Sequence, residues 1–154
     1  MKLMKDKREY LPQELSELLW QFSEKAYEGG SPWTQDQFLE SILHPYHEFL
    51  LFEQENHKSL LGYLQYQKIF DEAELLNIAV SKDYRRKQIA EKMLKAFIDI
   101  CLEEQVTSIY LEVRKSNQAA VNLYEKMNFK LINVRKNYYR QPQEDGLIMQ
   151  KFLK

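Results

Sequence analysis

A single α/β domain, with a mixed central β-sheet flanked by helices, is what the sequence predicts, and three observations predict it. Segments with apolar side chains at helical spacing alternate with segments of β-type composition, in the order α-α-β-β-β-α-β-α-β-β. No linker, internal repeat or low-complexity stretch interrupts residues 1–154, a length that suits one compact core. The balance of 44% hydrophobic and 29% charged residues is that of an ordinary globular chain.

Leu15, Leu18, Leu19, Phe22 and Ala26 recur every three or four residues, which predicts an amphipathic helix from Pro12 to Glu28. Pro12 suits its first turn, and Gly29-Gly30 stops it. Thr34-x-x-Gln37 fits a capping box for a second helix that runs to about Leu43, before His44-Pro45. Trp33 and Phe38 flank that cap as a hydrophobic staple would. Three strands are expected next, Glu48 to Gln54, Ser59 to Lys68 and Glu72 to Val80, with Glu55-Asn56-His57-Lys58 as a hairpin turn between the first two. Ala90, Met93, Leu94, Phe97, Ile98 and Cys101 then share one face of a helix from about Lys87 to Glu104. Thr107 to Val113 reads as a strand. Ser116 is placed to cap a helix carrying Ala119, Ala120, Leu123, Tyr124 and Met127, and Asn128 to end it in the left-handed conformation. Phe129 to Lys136 and Leu147 to Leu153 are the last strands, joined by a polar loop from Asn137 to Gly146.

Composition narrows the function. A net charge of −1 gives no global attraction to nucleic acid or to a membrane surface. No apolar run approaches the roughly 20 residues that cross a bilayer, and Met1 to Lys7 lacks the apolar core of a secretory signal. A cytoplasmic location is the expectation. One cysteine, Cys101, excludes an internal disulfide and a cysteine-built zinc site, and its place on an apolar stripe predicts a small buried hydrophobe. His44, His47 and His57 fall in a loop, a strand edge and a turn, without paired spacing for a metal, and are expected to be solvated.

The chemistry is concentrated where the third strand ends and the long helix begins, Asn77-Ile78-Ala79-Val80-Ser81-Lys82-Asp83-Tyr84-Arg85-Arg86-Lys87-Gln88-Ile89-Ala90. A helix start offers unpaired backbone N–H groups and the positive end of the helix dipole, which suits a phosphate. Arg85, Arg86 and Lys87 add three cations, so the turn is either a pyrophosphate cradle or a solvated basic turn. In the following strand, alternation places Tyr110, Glu112 and Arg114 on one face and Ile109, Leu111 and Val113 on the other.

This turn resembles the coenzyme A-binding motif of the GNAT superfamily of acetyltransferases, Gln/Arg-x-x-Gly-x-Gly/Ala. It reads here Arg85-Arg86-Lys87-Gln88-Ile89-Ala90. Arg85 and Ala90 fit, whereas Gln88 stands where the family usually has glycine, which would let the backbone approach a phosphate closely. Ile109 to Asn117, Ala119-Ala120 and Leu123 to Phe129 look like the second GNAT signature. Pro32-Trp33, Ala73 to Val80, Leu111 to Arg114, Arg135 to Tyr139 and Glu144-Asp145-Gly146 narrow the resemblance to the RimI-type ribosomal-protein-alanine N-acetyltransferases, over roughly Ser31 to Leu153.

The resemblance implies a GNAT-like acyl-CoA N-acyltransferase fold and an enzyme that moves acetyl from acetyl-CoA, with no metal, onto a protein N-terminus such as that of a ribosomal protein. It implies that Glu112 is the general base, where the residues alone allow a surface glutamate paired with Arg114 or a lysine. Tyr124 would be the general acid, and can at the same time be an aromatic on a buried helix face. Ile78, Ala79 and Val80 would hold the pantetheine arm through their backbone. Arg85, Arg86, Lys87, Gln88, Ile89, Ala90 and Glu91 would surround the pyrophosphate, and Asn117 would touch the cofactor unless it is only a helix-start residue. Arg135, Tyr138 and Tyr139 would cover the acceptor peptide, or merely pack their loop. A small amine or a lysine side chain as acceptor, and an acetyl-CoA-binding module without turnover, are the competing readings.

Overall fold

The computed structural model describes residues 2–54, 59–85, 88–140 and 142–153. The hairpin turn expected at Glu55-Asn56-His57-Lys58 lies outside the described residues. Among the described residues, four α-helices, α1 (Pro12–Ala26), α2 (Gln35–Leu43), α3 (Ile89–Glu103) and α4 (Gln118–Lys126), pack on a sheet of seven strands. The strands are β1 (Lys2–Asp6), β2 (His47–Gln54), β3 (Leu60–Ile69), β4 (Glu72–Val80), β5 (Ser108–Arg114), β6 (Lys130–Tyr139) and β7 (Glu144–Phe152). Their spatial order is β1-β2-β3-β4-β5-β7-β6, and every neighbouring pair is antiparallel except β4 with β5.

Alternation along the strands divides the core in two. Leu50, Phe52, Leu64, Leu75, Ile109, Leu111 and Val113 face α3 and α4, where they meet Met93, Leu94, Phe97 and Tyr124. Phe49, Leu51, Tyr63 and Ala79 face the other way, onto Leu15 and Leu19 of α1 and Phe38 and Ile42 of α2. Among the described residues, none from β5, β6 or β7 joins this second cluster, so α1 and α2 leave that part of the sheet face uncovered. Gly62 is needed where β3 passes under β4 and α3: a Cβ there would lie 2.6 Å from the Ala79 carbonyl oxygen and 2.9 Å from Met93 Sδ.

The predicted capping box at Thr34 forms in full, and the rings of Trp33 and Phe38 pack 5.4 Å apart. Asn128 ends the α4 turn at φ 70°. Cys101 is buried at 1% exposure, and burial pushes its thiol up to about 12.

Four expectations are corrected. β1 pairs with β2 from Lys2↔Gln54 to Asp6↔Leu50, where the sequence suggested no strand. α1 stops at Ala26 rather than Glu28, because Tyr27 turns to extended geometry before Gly29 and Gly30 at positive φ. Asn117, not Ser116, caps α4: its side-chain oxygen accepts from the Ala120 N–H. The polar stretch Asn137 to Gly146 is largely strand, since Tyr139 pairs with Glu144 and Arg135 with Gly146 around an irregularity that holds Asn137 at φ 53°.

Candidate active site

The parallel ladder between β4 and β5 runs from Glu72↔Ser108 to Leu75↔Leu111 and ends there. Each strand continues with its other partner, β4 with β3 as far as Val80↔Gly62 and β5 with β7 as far as Arg114↔Gly146. β4 and β5 therefore part company, and the backbone of Ile78, Ala79 and Val80 lines a cleft of about 710 Å³. Arg85, Gln88, Ile89, Ala90, Glu91, Asn117 and Tyr124 line the same cleft. Ten of the residues proposed from sequence are thus brought together, while Arg86 and Lys87 lie outside the described residues.

Local chemistry explains their placement. Gln88 is the N-cap of α3 at φ 60° and ψ 25°, and its side chain makes no cap hydrogen bond. A glycine at that position would serve the left-handed backbone as well as the approach of a phosphate. The first N–H groups of α3 open into the cleft at the positive end of the helix dipole. Glu91, in the first turn, would oppose a phosphate if it stood alone. Lys126 at 2.7 Å and Lys95 at 3.2 Å pair with it, and the Lys126 hydrogen bond foremost holds its carboxyl below the usual range. Arg85 donates to the Ala26 carbonyl at the C-terminus of α1, which ties the basic turn to the far wall. Asn117 lines the cleft while its side-chain oxygen caps α4.

Tyr124 is 5% exposed on the inner side of α4. Burial raises its phenol above the usual 10.0, with Tyr27 and Tyr139 contributing in the same direction. The phenol is therefore protonated throughout the neutral range.

Glu112 is the first β5 residue beyond the last β4–β5 pair, so it stands at the apex of the opening. It occupies the sheet face opposite the α3–α4 core, in a hollow of about 250 Å³ shared with Glu74, Tyr110, Ile148 and Arg135. Its partner is Arg135, with Nε 3.3 Å from Oε1, rather than Arg114 or a lysine. Arg114 instead pairs with Glu144 at 3.1 Å. The guanidinium of Arg135 lies 5.0 Å from the Tyr138 ring centre, and that of Arg114 lies 4.2 Å from the Tyr139 ring centre. Burial raises the Tyr139 phenol, and the Glu112 charge adds to the effect. Glu112 and Tyr124 line separate hollows.

Two contributors were given no role in the site by the sequence. Tyr27 lines the cleft from the end of α1, where burial raises its phenol; on the same helix, Ser23 Oγ lies 2.9 Å from the Tyr63 hydroxyl. An aromatic two residues before the Gly29-Gly30 stop was the available signal. Glu144 fastens the β6–β7 hairpin to the start of α4: it accepts from the Ser116 N–H at 2.9 Å and the Ser116 hydroxyl at 3.0 Å. The hydrogen bond from that N–H leads the causes that hold its carboxyl low.

His47 is not simply solvated. Its Nδ1 is 2.6 Å from Ser41 Oγ, its ring stacks on His44 at 4.2 Å, and burial lowers its pKa. His57 lies outside the described residues. No trio of His, Cys, Asp or Glu side chains among the described residues is placed to hold a metal ion. No helix among them is long and apolar enough to cross a membrane.

Comparison with known proteins bears on the family and the fold. The model of the acetyltransferase (GNAT) family matches residues 13–129. A relative from Bacillus subtilis (strain 168) is 38% identical over 120 residues, covering 77% of this chain and 78% of its own. The [ribosomal protein bS18]-alanine N-acetyltransferase of Salmonella typhimurium is 33% identical over 132 residues, 84% of this chain and 86% of that protein. The crystal structure of the ribosomal-protein-S18-alanine N-acetyltransferase from Escherichia coli superposes with a TM-score of 0.88 at 28% identity, covering 100% of this chain and 95% of the other. On its fold, its cleft and this likeness, the chain belongs to the GNAT family of acetyltransferases.

Proposed function

We propose that this enzyme acetylates the N-terminal α-amine of a ribosomal protein, the acceptor being the N-terminal alanine that its relatives are named for, with Glu112 as general base and Tyr124 as general acid. The observation that carries the reading is the end of the β4–β5 ladder at Leu75↔Leu111. It frees the backbone of Ile78 to Val80 on one side of the sheet and leaves Glu112 at the opening on the other. Acetyl-CoA supplies the activated acyl thioester. The cleft suits that molecule: Ile78, Val80, Ile89, Ala120 and Leu123 give an apolar path for its arm, and the start of α3 gives N–H groups for its pyrophosphate.

A free α-amine has a pKa of about 7.7–8.0, so near neutral pH it needs only a modest base. Glu112 accepts the proton lost as the new C–N bond forms, and Arg135 beside it keeps the carboxylate compensated. Backbone groups of Ile78 to Val80 orient the thioester. As the C–S bond breaks, the Tyr124 phenol donates its proton to the departing sulfur. Arg135, Tyr138 and Tyr139 line the approach of the peptide.

The test is thiol release from acetyl-CoA with a panel of acceptors: an alanine-starting peptide, the same peptide with its α-amine blocked, lysine-containing peptides, and small amines. Release with the free α-amine peptide alone, and mass spectrometry placing the added acetyl at residue one, are expected. Preference for a lysine peptide or a small amine overturns the acceptor. Binding of coenzyme A without release for any acceptor favours a module that does not turn over.

A further inference from the structure

We propose that Arg135 is a positioning residue for Glu112, reaching across β7 to fix the carboxylate from its place over the Tyr138 ring; this rests on Glu112 being the base. Glu112 pairs with Ile148 of β7, whereas Arg135 pairs with Gly146 two residues away on that strand. The guanidinium therefore crosses the intervening strand to come within 3.3 Å of Glu112.

Gly146 makes room for the two rings beside that crossing. It stands between Arg114 on β5 and Arg135 on β6, and the rings of Tyr138 and Tyr139 lie over it. A Cβ on Gly146 would be 3.2 Å from Tyr139 Cε2 and 3.4 Å from Tyr138 Cδ2, tighter than ordinary contact for the first. The two rings meet edge to face with centres 5.1 Å apart. Each carries an arginine, Arg135 on Tyr138 and Arg114 on Tyr139. Arg114 is held in turn by Glu144, which is anchored on the Ser116 backbone N–H.

An isolated ion pair at a half-exposed site stabilises little and holds no fixed orientation. Arg135 differs because its guanidinium sits over the Tyr138 ring, and that ring is packed on a glycine, so the fork is held near the carboxylate by a second contact. A glutamate at a strand end otherwise samples several rotamers, and only a carboxylate aimed at the amine accepts its proton.

Steady-state kinetics of Arg135→Met, Arg135→Lys, Glu112→Gln and the Arg135→Met/Glu112→Gln double variant test this. Arg135→Met should lower kcat about tenfold, a larger factor than any rise in KM for the peptide, with Kd for coenzyme A changed less than about twofold. Arg135→Lys keeps the charge and should recover about half of the logarithmic loss; Tyr138→Leu, which removes only the supporting ring, should lower kcat about threefold. In the Glu112→Gln background the Arg135→Met change should cost less than about twofold, since its effect passes through the missing carboxylate. An unchanged kcat in Arg135→Met, a rise in peptide KM alone, or an equal loss in both backgrounds overturns the proposal. Full activity of Glu112→Gln overturns the base assignment and this inference with it. A crippled Glu112→Gln beside a fully active Arg135→Met removes the positioning role and leaves the base in place.

Discussion

On the α3–α4 side of the sheet, the cleft is lined by strand backbone, a helix start and one deeply buried tyrosine. On the other side, the β6–β7 hairpin and the end of β5 work through exposed and half-buried side chains, with Arg135 over the Tyr138 ring, Arg114 over the Tyr139 ring, and ion pairs to Glu112 and Glu144. The cleft is placed by where a ladder ends and a helix begins, so many side chains would serve there. The hairpin's geometry depends on the identity of each residue. Changes in the cleft should therefore register in cofactor binding or stability, unless they remove a reacting group. Changes in the hairpin should register in turnover and in acceptor binding.

The most severe test of that division is Glu112→Gln, expected to lower kcat by about 10²–10³-fold while leaving coenzyme A affinity intact. A weakened affinity in calorimetry would join the two regions. Tyr124→Phe follows, with kcat expected to fall by about 10–100-fold and Kd for coenzyme A unchanged. Because burial raises the Tyr124 phenol above 10.0, its acidic form persists as pH rises, and wild-type kcat should show no decline from this group below about pH 10. A falling limb near pH 8 that vanishes in Tyr124→Phe would break the assignment. Glu144→Ala unfastens the hairpin from Ser116 and should raise peptide KM about fivefold with cofactor Kd unaltered.

Gln88→Gly should give the smallest change. Relief of a left-handed glutamine is worth about 1 kcal/mol, which raises Tm by about 2–4 °C for a chain of this size. Coenzyme A binding should tighten or stay the same. A clear loss of affinity would show that the Gln88 side chain contributes to the cleft.

The cleft was far more legible in the sequence than the hairpin, for a physical reason. Helix periodicity, the Thr34 capping box and the strand-to-helix turn at Val80 to Ile89 are local signals, decided by residues near one another in the chain. β1 was invisible because Lys2 to Asp6 has no strand signal of its own and depends on pairing with β2, some 48 residues away. Asn137 to Gly146 read as loop because its polar composition conceals backbone pairing imposed by β7. The partner of Glu112 was sought next door, at Arg114, whereas sheet order β5-β7-β6 brings Arg135 across to it. Gln88 was recognised as a departure from a glycine motif, yet its positive φ is a property of the folded turn.

Cys101 has a practical corollary. It is the only cysteine, and its thiol is both enclosed and shifted up to about 12, so the native enzyme carries almost no thiolate for a disulfide reagent to find. Colour developed in a continuous assay with such a reagent is therefore product, with a negligible protein blank even at high enzyme concentration. A blank that grows with time would report unfolding in the same cuvette.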